Sequence, residues 1–313
     1  MPFDNAWAAD CEKFVGKSFD TEYKIAMTPL LQIISEETTD SGSFELMNSG
    51  GYGIMPDYVG RNPNYAEQRR GFNTVVYTKE KRLDAVIDYK TAKIDKMGEC
   101  AKAGKRLAKS AQATVAELVL QMFRNAFNPA YVGGDGKPFA ATDHPVASMG
   151  SEGRKYIPDP ESGTFSNLGT DAFSVQSITA AQSKVAHFVT PDGLQFSANL
   201  DTVIIPPELE EKAKRFFGEN ANLLPETNHN DANPVKGMGY IVLRGGTGNG
   251  FSGKQWAVCD RELMKMVCSI VYNTKPMVVE QIATDKFWRQ FTAYMDLGAG
   301  WGDARQIYFN NPA

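Results

Sequence analysis

A chain of 313 residues and 34.4 kDa can bury roughly three quarters of its unfolded surface, so it needs neither disulfides nor a metal to fold, and its length allows two lobes. A net charge of −4 excludes a globally basic nucleic-acid binder, and 42% hydrophobic against 22% charged residues excludes a disordered chain. Cys11, Cys100, Cys259 and Cys268 form no C-x-x-C pair, which excludes a zinc ribbon; they read as reduced, mostly buried thiols of a cytosolic protein. The start, MPFDNAWAADCEKF, mixes acids and aromatics where a signal peptide needs a basic start and an apolar core. No apolar run reaches membrane-spanning length, so a soluble, intracellular protein is expected.

In chain order, residues 1–40 carry a loose helical pattern through Phe3, Trp7, Cys11, Phe14, Val15, Phe19 and Tyr23, interrupted by Pro29. Glu36 to Gly42 is expected to end that pattern in a polar break. This aromatic arm is too short for a domain and should pack against something else. Strands are predicted at 44–47, 72–77 and 85–89, the first two joined by a long segment that includes GRNPNYAEQRRG. Such a pair describes a projecting β-arm whose tip has little of its own to bury.

Residues 92–127 give the strongest helical signal, with Ile94, Met97, Ala101, Ala108, Ala111, Val115, Leu118, Val119, Met122 and Ala126 on one face. Lys102, Lys105, Arg106 and Lys109 project together on the opposite face. They read either as a solvated face or as a surface facing nucleic acid or an acidic partner. Residues 130–200 are rich in Gly, Ser and Pro. Further on, strands are predicted at 202–205, 240–243 and 256–258, a helix at 208–217 behind Pro206-Pro207, and a glycine loop at 245–253. Strands at 287–295 and 306–309 flank a predicted glycine turn at 298–302.

Chemistry is hard to find. The three histidines, His144, His187 and His229, show no metal spacing, and Asp143-His144-Pro145 reads chiefly as a turn. The loop with Gly245, Gly246, Gly248 and Gly250 resembles a phosphate cradle in composition but lacks the spacing of a P-loop, so a flexible hairpin loop is the stronger reading. Asp296 and Asp303 lack the alternating oxygens of a calcium loop. No catalytic residue, metal ligand or cofactor is expected.

The ordered set of motifs nevertheless resembles a family. Phe14 to Tyr23 is followed by Glu36-Glu37-Thr38-Thr39-Asp40-Ser41, then Pro56-Asp57-Tyr58-Val59-Gly60-Arg61. After the long helix come Asp135-Gly136-Lys137-Pro138-Phe139-Ala140 and Asp143-His144-Pro145. In this order they resemble the major head subunits of tailed phages with the HK97 fold, and more narrowly the Mu-type major head subunits. The resemblance implies an α+β capsid fold: an N-terminal arm (1–42), an extended E-loop (43–90), a P-domain (91–195 and 255–313) holding a spine helix at about 92–127, and an A-domain (196–254). It implies E-loop contacts to neighbouring subunits through Glu67, Arg69 and Arg70, a DNA-facing basic face at Lys102, Lys105, Arg106 and Lys109, and an axial loop at Gly245, Gly246, Gly248 and Gly250. The implied partners are other copies in pentamers and hexamers, a scaffolding protein or protease, a portal protein, a decoration protein, and packaged double-stranded DNA held non-specifically, with no membrane. The implied location is the virion capsid, assembled in the host cytoplasm. Two alternatives stand beside this: an encapsulin-type nanocompartment shell, and a metabolic enzyme binding a phosphorylated ligand at 245–253.

Overall fold

The computed structural model describes residues 6–26, 32–49, 70–94, 98–146, 163–190, 194–218, 232–244, 250–281 and 288–313. The architecture is mixed α+β, built on two sheets. In the first, β1 (Ser35–Thr38) lies parallel to β11 (Cys268–Gln281), β11 pairs antiparallel with β12 (Trp288–Trp301), and β12 pairs antiparallel with β4 (Lys79–Asp88). The expected polar break after the arm is therefore a strand in part. Ser35 and Glu37 are half-buried while Glu36 and Thr38 are exposed, which suits an edge strand with one wet face.

The long helix appears as α2 (Tyr89–Ile94) and α3 (Gly98–Arg124), with 95–97 outside the described residues. On α3, Cys100, Ala103, Leu107, Ala111, Val115, Val119 and Phe123 bury one stripe and rest on β4 and β12. Beside it lies α1 (Ala6–Ala26), which buries Cys11, Val15 and Phe19 at intervals of one helical turn.

The expectation of four reduced thiols is corrected here, because Cys11 and Cys100 form a disulfide between α1 and the first turn of α3. Spacing along the chain does not reveal the pair, since 89 residues separate the two sulfurs. Cys259 and Cys268 are free and buried, and burial pushes both thiols well above the ordinary range.

The second sheet has the order β7 (Leu168–Gly169), β13 (Ile307–Asn310), β10 (Trp256–Cys259), β8 (Thr202–Ile205) and β9 (Gly239–Val242). Every residue of β8, β10 and β13 is buried, so these strands read as continuous apolar runs without alternation. Strands from 196–254 and from 255–313 thus hydrogen-bond within one sheet. α4 (Val175–Val185) begins on a capping box between Ser174 and Ser177, a helix start that the Gly- and Ser-rich texture of 130–200 conceals. α5 (Glu210–Phe217) follows a 3-10 turn at Pro207–Leu209. α6 (Arg261–Val267) is capped by Asp260, whose carboxylate accepts from Glu262 N and Leu263 N at 3.1 Å and from Asn199 N at 2.8 Å.

One continuous core joins the helices to both sheets, and Phe123, Phe127, Phe139, Phe251 and Phe309 form an aromatic knot within it.

Candidate functional site

The element that leaves this body is an antiparallel hairpin, β2 (Ser43–Ser49) with β3 (Arg70–Tyr77). The sequence predicted both strands. It misread what holds them. The glycines at 298–302 do not form a turn: Gly298 and Gly300 lie inside β12, and the hairpin root rests on them. A Cβ at Gly298 would sit 2.5 Å from the Tyr77 carbonyl oxygen, and one at Gly300 2.4 Å from a Val76 methyl. Glycine within a strand marks such close approach of another backbone.

Further along β3 the same inner face is held by the segment 133–139. Gly134 lies where a Cβ would be 2.2 Å from the Asn73 carbonyl oxygen, and its N–H donates to Thr74 Oγ1 at 2.9 Å. Gly133 lies against the Trp301 ring, and that ring stacks on Phe139 at 4.5 Å. Leu46, Val76 and Val271 then form a small separate apolar cluster under the hairpin. Its outward side keeps Val75 and Tyr77 exposed. The hairpin is therefore seated at two points along its inner face, and nothing comparable within the chain covers its outer face among the described residues.

His144 departs from its expected place in a turn. It lies in β5 (His144–Pro145), fully buried, paired with β6 (Thr164–Phe165). Its Nδ1 donates to Asp135 Oδ2 at 2.6 Å, and its ring stacks on Phe165 at 5.1 Å. Asp135 and His144, nine residues apart, thereby fix the ends of the loop that carries Gly136 to Phe139. A residue that gave no sequence signal completes this brace. Arg305, 2% exposed, donates to Asp303 at 2.9 Å, to the Val189 carbonyl at 3.2 Å and to the Val146 carbonyl, and lies over Phe165. These contacts hold the loop in shape.

Lys102, Lys105, Arg106 and Lys109 are all exposed on α3, as expected. Three of them have acidic neighbours. Lys102 lies 2.8 Å and Arg106 3.8 Å from Glu99, and Lys109 lies 4.0 Å from Glu22 of α1. The Lys102 hydrogen bond, aided by the charges of Lys102 and Arg106, holds the Glu99 carboxyl below its ordinary value. Exposed pairs of this kind contribute at most about 1 kcal/mol, so the cations are available for exchange onto another anion.

On β4, Arg82 clasps Asp84 with two hydrogen bonds of 3.0 Å, and Thr292 of β12 donates to the same carboxylate at 2.6 Å. The Arg82 bond, and after it the Thr292 bond, lowers the Asp84 carboxyl.

Glu67 and Arg69 lie outside the described residues, and Arg70 is the first residue of β3. Gly245, Gly246 and Gly248 also lie outside them. Gly250 packs inward, where a Cβ would meet Leu243 at 2.5 Å and Leu120 of α3 at 3.1 Å. It is a packing glycine that seats its end of the loop on the long helix. No group of metal-ligating side chains occurs among the described residues, and no helix among them is long and apolar enough to cross a membrane.

Known proteins resemble this chain in the same arrangement of parts. A family model described as phage capsid protein matches residues 72–310. No curated protein sequence matches. Among solved structures, the procapsid of bacteriophage JBD30 is similar with a TM-score of 0.53 and 12% identity, over 99% of this chain and 77% of that one. A virus-like particle from Pyrococcus furiosus is similar with a TM-score of 0.50 and 9% identity, over 95% of this chain and 97% of that one. The capsid of an empty GTA particle gives a TM-score of 0.50 at 13% identity, over 91% and 89%. At these identities the likeness is one of fold, and the fold is the mixed α+β, HK97-like capsid fold.

Proposed function

The chain belongs to the phage capsid protein family, and from that premise we propose how its parts serve a shell. The function is structural: this is a major capsid protein that assembles into the head. The family match over 72–310 carries that conclusion, because it spans most of the hairpin strand β3, the long helix and every strand of both sheets except β1. The phosphate-binding enzyme reading has no comparable support.

We assign the β2–β3 hairpin as the E-loop, α3 as the spine, and the first sheet with α3 as the P-domain. The A-domain is the sheet β7-β13-β10-β8-β9 with α5, which moves β7, β10 and β13 from the P-domain of the sequence-based division into the A-domain. The narrower membership is the Mu-like group, supported by the motif order described above. The subunit is non-enzymatic, meets its copies in pentamers and hexamers within the host cytoplasm, and works with a scaffold or protease, a portal and a decoration protein. An encapsulin-type shell is the second reading, supported by the fold likeness to the Pyrococcus furiosus particle. Electron microscopy of purified material, combined with an assay of particle contents, tests both. Closed shells holding double-stranded DNA are expected. Monomers that persist with scaffold and portal supplied would end the shell reading, and a cargo protein in place of DNA would favour the second.

The basic face is proposed to line the interior, where it lowers repulsion between packaged phosphates and an acidic shell. Changing Lys102, Lys105, Arg106 and Lys109 together to Gln is expected to leave empty shells intact and to reduce DNA retained after a salt challenge. Loss of assembly itself would instead make the face an intersubunit contact.

The segment 60–71 is proposed to order on a neighbour, with Glu67, Arg69 and Arg70 as its contacts. Adjacent arginines on an extended chain point to opposite sides, and each guanidinium fork suits a carboxylate. Arg69→Ala with Arg70→Ala should leave circular dichroism unchanged and yield capsomers or fragile shells. The reason is that a contact worth about 0–1 kcal/mol is repeated at every subunit. Shells with unchanged thermal and salt resistance would move the grip to the strands beside the tip.

A further inference from the structure

The disulfide sits in a revealing place. α1 and α3 run parallel with a constant offset of 89 residues: Cys11 meets Cys100, Val15 meets Gly104, and the Tyr23 carbonyl accepts from Gln112 at 3.1 Å. At the middle of this crossing the Gly104 position lies so close to α1 that a Cβ would be 2.4 Å from the Val15 carbonyl oxygen. Among the described residues of α1, Cys11, Val15 and Phe19 are buried, while Phe14 on the outer side is 48% exposed. The helix meets the body mainly through α3, by side-chain packing and without the backbone ladder that ties each strand into its sheet, so it can separate as a unit. Both sulfurs are fully buried at the seam. An oxidant therefore reaches them only when α1 lifts, and once closed the bond is shielded from reductant.

We propose that Cys11–Cys100 is a redox-timed latch. The arm helix docks on α3 without a covalent bond while both thiols are reduced, and is locked there when the particle leaves a reducing compartment. The timing rests on the reading of the protein as a capsid subunit assembled in a cytoplasm, where thiols are kept reduced. The chemistry is exchange with a small-molecule disulfide. One cysteine thiolate attacks it, forming a mixed disulfide and releasing one small thiol. The second cysteine thiolate then attacks the protein sulfur of that intermediate, forming Cys11–Cys100 and releasing the second small thiol. Two protein thiols are oxidised and one small disulfide is reduced. Cys259 and Cys268 lie in the body of the fold and serve as an internal reference, because they stay free in both states.

The test counts thiols by mass after rapid alkylation in denaturant. Subunits taken directly from intact cells should carry four labels, and particles released into an oxidising medium should carry two, on Cys259 and Cys268. Oxidised particles should lose roughly 5–10 °C of melting temperature when reduced. Cys11→Ser and Cys100→Ala should each still form shells, and should melt like reduced wild type with no response to reductant. Four labels on released particles would overturn the latch, as would two labels on subunits inside cells or a melting temperature unchanged after reduction has raised the label count to four. The label count needs no variant, so a misfolded substitution does not leave the question open. Absence of any particle would instead count against the capsid reading.

Discussion

Gly298→Val is expected to free the β2–β3 hairpin from the body while leaving the sheets folded. The new side chain would be driven toward the Tyr77 carbonyl oxygen, and backbone cannot rotate aside as a side chain does. Overpacking of this kind typically costs about 1–3 kcal/mol, and here the whole cost falls on one small seat. Among the described residues, the root rests on Leu46, Val76 and Val271 with Phe44 beside them, on the Gly298–Gly300 platform and on the Gly134 clamp. Gly300→Ala should act more mildly, because it meets a Val76 methyl that can shift. Hydrogen exchange should show lost protection confined to residues 43–49 and 70–77, and electron microscopy should show failed or aberrant shells. Full protection of the hairpin amides in Gly298→Val would show that the clamp at Gly134 alone is sufficient.

Phe309→Ala is expected to give the largest loss of subunit stability, about 3–5 kcal/mol. The ring is fully buried in β13 and meets Phe139 at 4.9 Å, Phe127 at 5.7 Å and Phe251 at 6.2 Å. It therefore joins the second sheet, the end of the long helix, the loop after Gly250 and the loop that clamps the hairpin. Truncation would leave a cavity bordered by other rings that are themselves fixed, so little collapse would relieve it. Chemical denaturation of the unassembled subunit measures the effect. Phe14→Ala, at an exposed position on α1, should change stability by no more than about 0.5 kcal/mol. Equal effects from the two substitutions would show that the knot is not a shared keystone.

The long helix was legible because ten apolar residues kept its period, and β8 and β10 because runs of apolar residues are hard to read otherwise. β3 announced itself through its β-branched and aromatic residues. β11 did not. Pro276 interrupts it, and register shifts between Tyr272 and Met277 break the alternation that a strand otherwise displays. The Gly298 platform could not be read, since glycines that receive another backbone look locally like glycines that turn. The Asp135–His144 pair and the Arg305 brace are contacts across the fold, and sequence spacing encodes none of them. The ion pair between Glu99 and Lys102 was available, being three residues apart on one helix. It tempers the basic face without removing it.

The order of strands in the first sheet bears on when a subunit becomes competent. β1 and β4 come from the first ninety residues, yet neither touches the other, and β11 and β12 from the last fifty stand between them. The second sheet repeats the arrangement, with β13, near the end of the chain, lying between β7 and β10. A ribosome adding about 5–20 residues each second therefore holds a chain whose two sheets both lack inner strands until residues 268–310 have been made. An unfinished polypeptide has no seat for its hairpin, because Gly298 has not yet been made. Topology thus sets an order of events: the hairpin gains its seat only after β12 exists, so a chain stopped before residue 298 cannot hold its hairpin there.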